Sequence, residues 1–106
     1  MNGRAILDAW AFAAGARWST TSSGESAYRL LFDGQNVLYC YDTENAISAF
    51  VEHVSKAEAR AVLAFGASPN GYDEKRTGIR ISVDRRSLMD LLDWSRRRLE
   101  RTSQPV

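Results

Sequence analysis

The sequence predicts an α+β fold: an antiparallel sheet of about four strands with helices on one face, in the order α-ββ-α-ββ-α. Three observations carry this expectation. A-Y-R-L-L-F and Q-N-V-L-Y-C-Y flank Asp33-Gly34, the dipeptide that supplies the positive φ angles of a tight hairpin turn. Ile79, Ile81 and Val83 alternate with Arg80 and Ser82, the pattern of a half-buried strand. Residues 4–14 and 83–101 carry apolar residues at helical spacing.

The first element is an alanine-rich helix over residues 4–14, with Gly15 as its stop. Ile6, Trp10 and Ala13 form one stripe and Phe12 points elsewhere, so the helix is apolar on more than one face and calls for a covering partner. Trp18 to Ser26 reads as a loop or a polar edge strand. In the hairpin that follows, a two-residue turn pairs Phe32 with Gln35, Leu30 with Val37 and Tyr28 with Tyr39. These share the expected core face, and Arg29, Leu31, Leu38 and Cys40 share the other. Asp42 or Thr43 then caps a second helix, in which Ile47, Phe50, Val51 and Val54 make an apolar stripe.

Residues 56–65 are ambiguous. Ser55-Lys56-Ala57-Glu58 has the form of a capping box, but A-V-L-A-F over 61–65, followed by Gly66 and Ser68-Pro69-Asn70-Gly71, favours a strand. Residues 68–77 are a polar loop before the strand around Ile81. The last helix starts at Asp84 as N-cap, with Val83 and Leu88 as a hydrophobic staple and Leu88, Leu91, Leu92 and Leu99 as its apolar stripe. Residues 1–101 make one α+β domain and 102–106 a flexible C-terminal tail. The element order resembles that of the LAGLIDADG homing endonucleases. That family's helix ends in an essential acid where this chain has Phe12-Ala13-Ala14-Gly15-Ala16, so the resemblance implies no nuclease activity.

Composition narrows the function classes. The 106 residues carry a net charge of only +1, so no global field attracts polyanions. The charge is unevenly spread: residues 1–54 hold three arginines against six carboxylates, and residues 55–106 hold eleven Lys and Arg against seven. The single cysteine, Cys40, excludes a disulfide framework and a thiolate zinc site and points to a reduced, cytoplasmic setting. No stretch approaches the ~20 apolar residues of a membrane span. The apolar run after Arg4 is interrupted by Asp8 and is too short for a signal peptide. Neither a metal nor a cofactor is expected, since no ligand spacing or phosphate-cradling glycine pattern occurs.

Three groups of residues are candidates for function. Arg85 and Arg86 stand in the first turn of the last helix, where the dipole disfavours cations. With Lys75, Arg76 and Arg80 they make the expected anion- or partner-binding edge, unless Asp73, Glu74 and Asp84 simply neutralise them. The Arg96-Arg97-Arg98 triplet and Arg101 suit the negative end of the helix dipole, and helical geometry splays them round the axis. Leu7, Trp10 and Phe12 are the expected dimer or partner interface, with homodimerisation through the first helix as its simplest form. Cys40 and His53 are the one pairing of nucleophile and base, but no third group orients them, so no catalytic residue is assigned. The expected function is a small non-enzymatic domain that binds a protein as regulator, inhibitor or adaptor. The alternative is nucleic-acid binding through the basic second half, with the Tyr28, Phe32, Tyr39 and Tyr41 hairpin available for stacking.

Overall fold

The computed structural model describes residues 2–24 and 26–103. Among these, the chain forms α1 (Gly3–Ala14), β1 (Trp18–Ser22), β2 (Ala27–Phe32), β3 (Gln35–Asp42), β4 (Ile47–Glu52), α2 (Lys56–Val62), β5 (Tyr72–Asp73), β6 (Gly78–Val83) and α3 (Arg85–Ser103). The fold is α+β, with a six-stranded sheet in the order β1-β2-β3-β4-β6-β5 in which every pairing is antiparallel.

Several sequence expectations hold. The helix expected over 4–14 forms as α1, and the Gly15 amide closes it onto the Ala11 carbonyl; at its start Asn2, not singled out in the sequence, accepts from the Ala5 amide at 2.8 Å. Asp33 and Gly34 turn the β2–β3 hairpin with φ of 48° and 77°. Asp84 Oδ1 accepts from the Ser87 amide at 2.7 Å, and α3 buries Leu88, Leu91 and Leu92.

Four expectations are overturned, and with them the α-ββ-α-ββ-α order and its resemblance. First, residues 43–54 are not a helix. Thr43 makes the hydrogen bond of an N-cap, its Oγ1 accepting from the Ala46 amide at 3.0 Å, but the bond closes a turn between β3 and β4. The apolar spacing arises because β4 is central and covered on both sides: Ile47, Ala49 and Val51 face the helices, and Phe50 faces the other way. Second, residues 56–62 are helix, because the capping box forms in full between Ser55 and Glu58. Third, the hairpin register slips at a bulge between Leu30 and Leu31, so Leu30 opposes Leu38, Tyr28 opposes Cys40 and Arg29 opposes Tyr39. The bulge lets Val37, Leu38 and Cys40 all be buried. Fourth, α3 continues through positions 102 and 103, so the expected tail is helical there; residues 104–106 lie outside the described residues.

Residues 18–22 take the edge-strand alternative, and the expected loop over 68–77 contains the short β5. Register sorts the sheet into two faces. Tyr28, Leu30, Leu38, Cys40, Ala49, Val51, Ile79 and Ile81 point to one face and join Leu7, Trp10, Leu88, Leu91 and Leu92 in one core. At this core's edges, Trp10 Nε1 donates to Asp93 at 2.9 Å, and Trp18 stacks edge-on against Trp10 at 5.2 Å. The Tyr28 hydroxyl and the Gly3 amide both donate to Asp42, which ties α1 to β3.

Candidate functional site: the open sheet face

Among the described residues no helix covers the second face of the sheet, and its side chains form rows fixed by strand register. The central row runs Thr21, Arg29, Tyr39, Phe50, Arg80, one residue from each of β1, β2, β3, β4 and β6. Beside it lie Tyr41, Ser48 and Ser82. On its other side, Asn36 donates to Glu52 across the sheet.

Phe50 anchors this surface. Only 2 % of it is exposed although it lies outside the core cluster, because two arginines roof it. The Arg76 guanidinium lies 3.8 Å from the ring centroid and that of Arg80 lies 5.5 Å away. Each arginine is held by a further polar partner: Arg76 donates to Glu52 at 3.1 Å and Arg80 to Ser48 at 2.9 Å. At the outer end of the row, Arg29 Nε donates to Thr21 at 3.1 Å. Gly78 leaves room for this arrangement, since a β-carbon there would stand 2.7 Å from the Phe50 ring and 2.4 Å from the Val51 carbonyl oxygen. Tyr41 is 49 % exposed, whereas Tyr39 is half-buried. The surface therefore has an arginine-capped aromatic at its centre and serine, threonine and tyrosine around it. Such groups suit hydrogen bonding and stacking.

The predicted site residues separate on this framework. Arg76 and Arg80 come together on Phe50. Arg85 does not join them: it stands beyond the opposite end of β6 from Arg76 and donates to the Thr43 carbonyl at 3.4 Å. Arg86 is exposed near the Asp84 carboxylate, and Lys75 is exposed in the β5–β6 turn. The five cations thus do not make one basic edge. Hydrogen bonds from the Ser87 amide and hydroxyl hold the Asp84 carboxyl below the usual carboxylate range, as expected of a cap.

In the C-terminal cluster, Arg98 pairs with Glu58 and also donates to the His53 carbonyl, fastening α3 to α2. Arg96 lies 3.8 Å from Glu100, and Arg97 is exposed. Asp93, in the same helix, accepts from the Trp10 indole.

Leu7 and Trp10 are core residues, 0 % and 4 % exposed, so the expected interface of Leu7, Trp10 and Phe12 does not exist as a surface. Phe12 does stand out, 92 % exposed. Cys40 is fully buried, and that burial pushes its thiol far above the ordinary range. His53 lies in an exposed turn after β4 with φ of 60°, so the two do not form a catalytic pair. Among the described residues no group of three or more His, Cys, Asp or Glu is placed to hold a metal ion, and no helix is long and apolar enough to cross a membrane.

Sequence reasoning missed the central row because it placed Phe50 on a helix. Once 47–52 is a strand, the alternation of Ser48, Phe50 and Glu52 against Arg80 and Ser82 becomes the signal. No known protein family, curated protein or solved structure matches the chain.

Proposed function

We propose that the chain is a small non-catalytic binding domain that uses its open sheet face to engage a protein partner, as a regulator, inhibitor or adaptor. The row Arg29–Tyr39–Phe50–Arg80 carries this reading. Tyrosine and arginine contribute disproportionately at protein interfaces, because each combines a large contact area with fixed hydrogen-bonding geometry. The two arginines over Phe50 are already oriented by Glu52 and Ser48, so little side-chain freedom is lost when a partner docks on them.

Nucleic acid is the second reading, favoured by arginines and tyrosines side by side on one sheet face. Affinity capture from the native source, with the intact chain and with a Tyr39→Ala/Tyr41→Ala variant, separates the two. The protein reading expects a defined protein species that survives nuclease and a rise to half-molar salt, and that the variant fails to retain. Nuclease-sensitive capture with a steep loss of affinity in salt overturns it in favour of nucleic acid. Equal capture by the variant removes the open face from either reading.

A further inference from the structure

The sheet has two edges, and they are built differently. The β5 edge is blunted: β5 has two residues, Pro69 and Gly71 precede it, and Asp73, Glu74, Lys75 and Arg76 crowd its end. The β1 edge has none of these devices. Trp18-Ser19-Thr20-Thr21-Ser22 contains no charge, proline or glycine, pairs with β2 in unbroken register, and among the described strands pairs with β2 alone. Every second residue of β1 therefore presents its backbone N–H and C=O outward in an extended row.

Beside this edge, on the helix side, lies an open cleft of about 490 Å³ lined by Ala11, Phe12, Gly15 and Ala16 and by the Trp18-Ser19-Thr20 stretch of β1. Its side-chain walls are largely apolar and uncharged, and Phe12 in its lining is almost fully exposed. The nearby Asp8 carboxylate is already engaged, accepting from the Thr20 hydroxyl at 2.6 Å with Arg4 at 3.8 Å. A free backbone row selects an extended peptide, and an uncharged cleft selects apolar side chains.

We propose that β1 is a docking edge for an extended segment of a partner protein, which adds as a seventh strand and places two apolar side chains, at positions i and i+2, in the cleft beside Phe12. The period follows from register. Trp18 and Thr20 point to the helix side, so the segment's residues opposite them enter the cleft, and the residue between, opposite Ser19, points to the open face. The edge meets the open-face row only through Thr21, which accepts from Arg29, and it uses backbone groups and the helix side rather than that face, so it stands whether or not that surface binds anything.

The test is selection of linear heptapeptides displayed on phage against the folded chain, with the winning peptides mapped by backbone amide shifts. The proposal expects enriched sequences that alternate apolar and polar residues without proline. It also expects saturable shifts at Trp18–Ser22, and about tenfold weaker binding both to Phe12→Ala and when the peptide's strand-facing amides are N-methylated. Phe12 is exposed, so this variant keeps the fold, and the spectrum verifies that directly. Failure to enrich, helical spacing in the winners, indifference to N-methylation, or shifts confined to Tyr39, Phe50 and Arg80 each overturn it. So do β1 shifts that grow with protein concentration alone, which would make a second copy of the chain the occupant.

Discussion

Single residues show where the fold spends polar groups. Ser95 lies in the leucine stripe of α3, 1 % exposed, and its hydroxyl has no hydrogen-bond partner among the described residues. A buried hydroxyl without a partner costs about 1–3 kcal/mol, and serine is also a poorer helix former than alanine. Ser95→Ala is therefore expected to stabilise the chain by roughly 0.5–2 kcal/mol. A urea midpoint that rises with unchanged slope would bear this out, and a fall would reveal a missed partner. Glu58 is the opposite case. Burial alone would raise its carboxyl, but the Ser55 amide and the Arg98 guanidinium outweigh burial and hold it below the usual carboxylate range. A carboxyl depressed in the folded state contributes stability above its unfolded pKa and loses it as pH falls through the folded value. The contribution is thus complete above about pH 5 and erodes below about pH 4. Glu58→Gln should melt lower than the parent at pH 7, with the gap closing as the pH falls through the folded-state value. A gap independent of pH would show that packing, rather than charge, ties α2 to α3.

At the scale of elements, the legible ones were those whose signal is local. The β2–β3 turn needs only Asp33-Gly34, and the ends of α1 and α3 need only Gly15 and Asp84. β4 was not legible because its signal depends on neighbours far along the chain. Ile47, Phe50, Val51 and Val54 imitate a helical stripe only because Phe50 is roofed by Arg76 and Arg80, some 26 and 30 positions later. The bulge at Leu30/Leu31 is equally invisible, since two adjacent apolar residues at 37 and 38 fit either register. The site shared the fate of β4: its arginines were named, but the aromatic that unites two of them was placed on the wrong element. The roofing arginines also make β4 energetically central. Phe50→Ala is expected to cost about 3 kcal/mol, the low end of the range for a buried phenylalanine, because one side of the ring is covered by guanidinium groups rather than core. Arg80→Ala should cost about 0.5–1 kcal/mol. Denaturant titrations giving less than 1 kcal/mol for Phe50→Ala would mean that the ring is not buried in solution.

For the whole molecule, the question is whether one-sided packing leaves a cooperative unit. All three helices and the five longer strands contribute buried residues to a single cluster, and the radius of gyration of 12.9 Å is that of one close-packed domain of this length. Equilibrium unfolding should therefore be two-state. The tryptophans can test this because they report on opposite flanks. Trp10 and Trp18 sit together where α1 meets β1, with Trp18 stacked on Phe32 at 4.8 Å. Trp94 lies against Phe65, beyond the end of α2. The α1–β1 flank is the one to fail first if any does, because β1 is bonded on one side only. With Trp94→Phe reporting on that flank and a Trp10→Phe/Trp18→Phe variant reporting on the other, both fluorescence transitions should coincide with each variant's own far-ultraviolet circular dichroism. An earlier fluorescence midpoint in the Trp94→Phe chain alone would show that α1 and β1 open as a unit before the rest of the sheet.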